Sequence, residues 1–193
     1  ENFHQTIVMF SLIKKNSFAI KEDVKIDYFF PSKYKIVAPR DFCVLHLTSR
    51  WINKYYDEEN FIDLIIKLQQ KKILLYLTSD ESTKFKFKKI FDKYSIINND
   101  QFSNEKLSDE IIIFDNLDFD KWIDLIKVSK YVITPECGIL HITSLCENHL
   151  TVIYDADYFP EMMMHEYAPW KKPYNKLIFN DEELNKKIVS FVQ

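Results

Sequence analysis

One glycine, Gly138, occurs among 193 residues. That scarcity excludes the two glycine-dependent phosphate fingerprints, because G-x-G-x-x-G and G-x-x-x-x-G-K-[ST] each need more than one. A nicotinamide dehydrogenase and a P-loop kinase are set aside with them. Charge of one sign is lacking too: 26 basic against 29 acidic residues leave a net charge of −3, giving no electrostatic footprint for nucleic acid or an anionic membrane. Any anionic ligand must be held locally. No apolar run approaches the roughly 20 residues of a membrane span, and no signal-peptide pattern opens the chain, so the expected location is cytoplasmic. The three cysteines, Cys43, Cys137 and Cys146, form no C-x-x-C or Cys/His spacing and read as reduced thiols. No H-E-x-x-H or other metal spacing and no Ser/His/Asp order stands out, and neither a metal nor a cofactor is expected.

What is present is an apolar, aromatic chain, 47% hydrophobic and 16% Phe, Trp and Tyr, able to bury the core of one large domain. A helix-period stripe of Phe3, Ile7 and Phe10 is followed by irregular sequence containing Pro31 and Pro39. Residues 1–40 are therefore expected to be a remnant helix and linker. From Asp41 short aliphatic runs alternate with amphipathic ones. Strands are predicted at Phe42–Leu47, Ile73–Leu77, Ile111–Phe114, Tyr131–Ile133, Leu150–Tyr154 and Leu177–Phe179. Helices are predicted at Asp57–Gln70, up to about Lys93, at Asp118–Lys127, as a buried helix at Gly138–Cys146, and from Asp181 onward. Tyr158–Tyr174 is expected as an aromatic, methionine-rich loop. Continuous apolar strands separated by helices mean an α/β fold, a Rossmann-like parallel sheet with helices on both faces, over residues 41–193. Ligands of such sheets lie beyond the carboxyl ends of the strands.

The polar residues that follow each strand are the candidates. Thr48, Ser49, Arg50 and Lys54 group two hydroxyls and two cations after the first strand, a set suited to a diphosphate, though a solvated loop has the same look. Asp80 and Glu81 after the second strand suit ribose hydroxyls or cap a helix. In Glu136-Cys137-Gly138-Ile139-Leu140-His141, the glycine suggests a turn where a Cβ is not tolerated, opening a helix whose N–H groups favour a phosphate. A tight strand-to-helix turn without a ligand explains it equally. His141, three residues on, is either a donor to that phosphate or a core residue, and Glu136 either accepts from sugar hydroxyls or caps the helix.

From Phe42 to Phe179 the chain resembles the C-terminal half of glycosyltransferase family 9, the heptosyltransferases. That family carries a Lys-x-Trp-Pro-Glu segment, where this chain has Lys54-Tyr55-Tyr56-Asp57-Glu58, and an Asp-Thr-Gly-x-x-His turn, where it has Glu136-Cys137-Gly138-Ile139-Leu140-His141. The resemblance implies the C-terminal, donor-binding domain of a GT-B glycosyltransferase. Residues 1–40 would then be the last helix and linker of a missing N-terminal acceptor domain. It implies a nucleotide-sugar donor, an ADP-heptose-like one, and a lipopolysaccharide or other glycan acceptor, with peripheral association at the inner membrane. Thr48, Ser49 and Lys54 would bind the diphosphate, Asp80 or Glu81 the ribose, and Glu136, Cys137, Gly138 and His141 would face sugar and phosphate. Lys54 would stabilise the leaving group without a metal, the anomeric carbon would invert, and the general base would lie outside this chain. The Glu136 and Cys137 departures also admit a second reading, a non-catalytic scaffold or partner-binding module derived from such a fold.

Overall fold

The computed structural model describes residues 30–80, 82–102, 107, 111–170 and 172–193. Seven strands are named within them: β1 Phe42–His46, β2 Leu74–Ser79, β3 Ser95–Asn98, β4 Ile112–Asp115, β5 Tyr131–Pro135, β6 His149–Tyr154 and β7 Asn175–Ile178. All pair in parallel, in the order β3-β4-β2-β1-β5-β6-β7. The helices are α1 Glu58–Gln69, α2 Lys88–Lys93, α3 Phe119–Val128, α4 Gly138–Thr143, α5 Pro160–Glu166 and α6 Leu184–Ser190, with 3-10 turns at Ser49–Trp51 and Lys84–Lys86. The expected remnant helix falls within residues 1–29, outside the described residues, and Glu81 is outside them as well.

The strands look uniformly apolar in sequence because both faces are covered. Alternate residues go to opposite cores: Cys43, Leu45, Leu75, Leu77, Ile113 and Ile133 to one, and Phe42, Val44, Leu74, Tyr76, Ile112 and Val132 to the other. The first core is closed by α1, α2 and α6 through Phe61, Ile65, Ile90 and Ile188. The second is closed by α3 and α4 through Leu125, Ile126, Ile139 and Leu140, with Met163 and Met164 of α5 packed against it. The chain winds outward from β1 on one side of the sheet and returns to β5 on the other. That reversal sets the two helical layers on opposite faces.

The structure departs from the sequence expectations in four places. An edge strand, β3, is absent from them: Ser95, Ile96 and Asn98 are exposed, so the apolar signal of a buried strand is missing. Tyr158–Tyr174 is not loop throughout but contains α5, with Pro160 in its first turn. The expected helix up to Lys93 is a 3-10 turn and a short helix joined at Phe87. The helix after Gly138 spans six residues, and Gly138 and His141 lie exposed on it while Ile139, Leu140 and Thr143 are buried.

Candidate functional site

β1 and β5 are neighbours in the sheet, yet the chain leaves β1 toward β2 and leaves β5 toward β6. The loops after these two strands therefore diverge and open a crevice at the carboxyl edge, the position at which open α/β sheets bind ligands. A cavity of about 240 Å³ occupies it, lined by Arg50, Asn53, Pro135, Glu136, Asp155 and Phe179 among others. Larger hollows lie elsewhere among the described residues. One, of about 360 Å³, sits at the amino edge by Arg40, Lys72, Lys93 and Tyr94. Another, of about 370 Å³, sits between α1 and α6, where Tyr56 and Asn185 already satisfy one another. The smaller crevice is the one that gathers residues singled out after β1 and β5.

The β1 side is built on Trp51, whose fully buried ring meets Phe61 and Phe179 edge-on and whose Nε1 donates to the His46 carbonyl at 2.8 Å. With that anchor fixed, Thr48, Ser49 and Arg50 follow as a surface turn. Thr48 Oγ1 accepts from the Arg50 N–H at 3.2 Å and caps the 3-10 turn. Lys54 is exposed at the loop tip, 2.8 Å from Asp157 and 4.8 Å from the centre of the Tyr55 ring, whose hydroxyl also donates to Asp157. The hydrogen bond to Asp157 raises the Lys54 pKa and keeps it cationic. Below the loop His46 is half-buried, and its Nδ1 shares a hydrogen bond with Thr78 Oγ1 at 2.8 Å. Burial pushes its pKa down to about 4, so the ring is neutral at physiological pH.

On the β5 side, Glu136 is tied to the sheet by its N–H, which donates to the Ile153 carbonyl at 2.9 Å. Its carboxylate accepts from Arg50 Nη1 at 2.5 Å, an ion pair that spans the crevice from the β1 loop. Cys137 precedes α4 in extended conformation; its sulfur lies 3.3 Å from Thr134 Oγ1, and burial pushes the thiol pKa up, which leaves it unreactive. Gly138 overturns the steric expectation. Its φ is not positive, and a Cβ built there meets nothing within 4 Å. The protein itself does not demand this glycine, and the Cβ direction opens into free space. The far end of α4 is fixed by Lys172, whose half-buried Nζ donates to the carbonyls of Thr143 and Cys146 and to Asn148 Oδ1. Burial pushes the Lys172 pKa down to about 8.

After β2, Asp80 Oδ1 accepts from the Ser82 N–H at 2.9 Å and its hydroxyl at 2.5 Å, so the carboxylate organises its own turn. The same turn brings in two lysines the sequence pattern does not single out. Lys84 pairs with the buried Asp115 at 2.5 Å, and Lys86 donates to the Ser49 carbonyl at 3.3 Å. Lys86 thereby joins the β2 and β1 loops. Asp157 escapes the pattern as well, because its partner Tyr55 lies 102 positions away in the chain. Among the described residues no group of three or more His, Cys, Asp or Glu side chains is placed to hold a metal, and no helix is long and apolar enough to cross a membrane.

A family model described as "Glycosyltransferase family 9 (heptosyltransferase)" matches residues 10–187. Two solved structures resemble the fold. The E. coli heptosyltransferase WaaC with ADP superposes with a TM-score of 0.69 at 13% identity, covering 100% of this chain and 57% of that one. The E. coli ADP-heptose lps heptosyltransferase II superposes at 0.55 with 9% identity, covering 86% of this chain and 48% of that one. The chain thus spans about half the length of either structure. No curated protein matches the sequence.

Proposed function

The chain belongs to glycosyltransferase family 9, the heptosyltransferase family, and from that premise we propose that it is the donor-binding part of an inverting glycosyltransferase using a nucleotide-sugar of the ADP-heptose kind. The observation that carries this reading is the crevice at the β1/β5 reversal, where Arg50, Asn53, Glu136 and Asp155 line one cavity, with the exposed residues Ser49 and Gly138 each adjoining a lining residue's turn in the sequence. Thr48 and Ser49 present hydroxyls to the diphosphate. Lys54 swings from Asp157 to the leaving phosphate, which is feasible because the pair joins two exposed side chains and such pairs are weak. As the glycosidic bond to the diphosphate breaks, charge grows on the leaving oxygen, and a cation held beside it lowers that barrier.

Gly138 leaves room for a phosphate or sugar to approach the backbone of α4, and His141 lies on the same exposed face. Asp80 or Glu81 contacts the ribose. Acceptor binding and the catalytic base belong to an N-terminal domain that lies outside the chain on this proposal, the acceptor being a lipopolysaccharide or other glycan, and the protein associates peripherally with the inner membrane.

The non-catalytic alternative draws on one observation: Arg50, Lys54 and Lys84 are each already paired with a carboxylate. Calorimetry separates the two. The donor reading expects saturable binding of ADP, preferred over UDP, GDP and CMP and weakened about tenfold by Lys54→Ala, a loss of about 1.4 kcal/mol of interaction with a partly screened diphosphate. Absence of heat with every nucleotide at millimolar concentration rejects it.

A further inference from the structure

Resting on the reading that the crevice takes a nucleoside diphosphate, we infer that Arg50 serves it as a positioning residue that neutralises Glu136, so that the Arg50–Glu136 pair decides whether an anion can enter. The two partners are unequal. The Glu136 side chain is 13% exposed and the Arg50 side chain 57%. Glu136 is also held at its backbone by β6, so its carboxylate cannot leave the crevice wall by a loop movement. Arg50 rides on a surface 3-10 turn and reaches across the reversal to meet it at 2.5 Å.

A lone carboxylate at that wall faces the two phosphates of the ligand with charge of the same sign, in a partly enclosed site where water screens poorly. Asp155 lines the same cavity and adds to the negative side. Among the described residues that line the cavity, Arg50 is the cation, since Lys54 is drawn off to Asp157. Compensation by Arg50 turns a repelling wall into a neutral one. The carboxylate is left oriented by a strong charge-assisted bond, with its second oxygen available to a hydroxyl donor.

The test is a double-mutant cycle on Arg50→Ala, Glu136→Gln and the double variant, read by ADP calorimetry and by thermal melting without nucleotide. Arg50→Ala exposes the bare carboxylate and is expected to weaken ADP binding about tenfold or more and to lower the melting temperature. The double variant is expected to recover ADP affinity to within about threefold of Glu136→Gln, and to recover the melting temperature, because the Glu136 charge that Arg50 compensates is gone. A double variant as weak as Arg50→Ala in binding overturns the inference and makes Arg50 a direct phosphate ligand. If the unaltered chain binds no ADP, the donor reading fails separately, and the melting cycle alone decides: coupling between the two positions supports compensation, and independent effects reject it.

Discussion

At the scale of single residues, glycine scarcity is informative in an unexpected direction. Left-handed backbone is carried by Lys72, Asn116, Phe159 and Glu183, with φ of 58°, 51°, 44° and 54°, and at none of them by the chain's glycine. Gly138→Ala is expected to leave stability within about 1 kcal/mol of the parent or raise it, since alanine is the better helix former and meets no atom of the protein. Denaturant melting checks this. The same substitution should weaken ADP binding if a ligand approaches that face; equal affinity would remove Gly138 from the site.

His46 makes stability depend on pH. Its folded pKa of about 4 lies below the ordinary value of 6.5, because burial disfavours the imidazolium. Between those values the unfolded chain binds more protons than the folded one, so stability falls as pH drops from about 6.5 to about 4 and is unaffected by this group above 6.5. The full contribution is on the order of 3 kcal/mol. Melting temperature followed from about pH 7 to about pH 4 should decline, and His46→Gln, which keeps a partner for Thr78, should flatten part of the decline.

At the scale of elements, α1 shows sequence and structure in agreement. Asp57 caps it, accepting from the Asn60 N–H at 2.9 Å while Asn60 Oδ1 accepts from the Asp57 N–H at 3.0 Å, and Glu58 and Glu59 sit in the first turn. Asp57→Ala should cost about 1 kcal/mol in a chemical melt. α4 depends on tertiary contacts instead: six residues are too few for an independent helix, and Lys172 holds its far end through carbonyls at Thr143 and Cys146.

Strands β1, β2, β4, β5 and β6 are readable in the sequence because burial on both faces makes them continuously apolar. β3 is not, because an exposed edge strand needs no such pattern. α5 escapes because the aromatic and methionine residues around Pro160 have the look of a loop, whereas the structure starts a short helix at that proline after a left-handed Phe159. Within the crevice, residue types after each strand are visible in the sequence, whereas the pairings of Arg50 with Glu136 and Lys54 with Asp157 are not. Arg50 and Glu136, 86 positions apart, meet only through the strand order.

At the scale of the whole molecule, the strand order creates the crevice: a chain that winds out from β1 and returns at β5 leaves a gap over the sheet's carboxyl edge whatever its loops contain. The loops then determine its chemistry. Here they supply hydroxyls, the cations Arg50 and Lys54 already engaged with carboxylates, and a helix whose exposed face carries Gly138 and His141. The most direct test follows backbone amide resonances of the chain while ADP is added. A donor site at the reversal predicts saturable shifts concentrated at Thr48–Lys54 and Glu136–His141. Shifts confined to the amino edge around Lys72, Lys93 and Tyr94, or none at millimolar ADP, would contradict it.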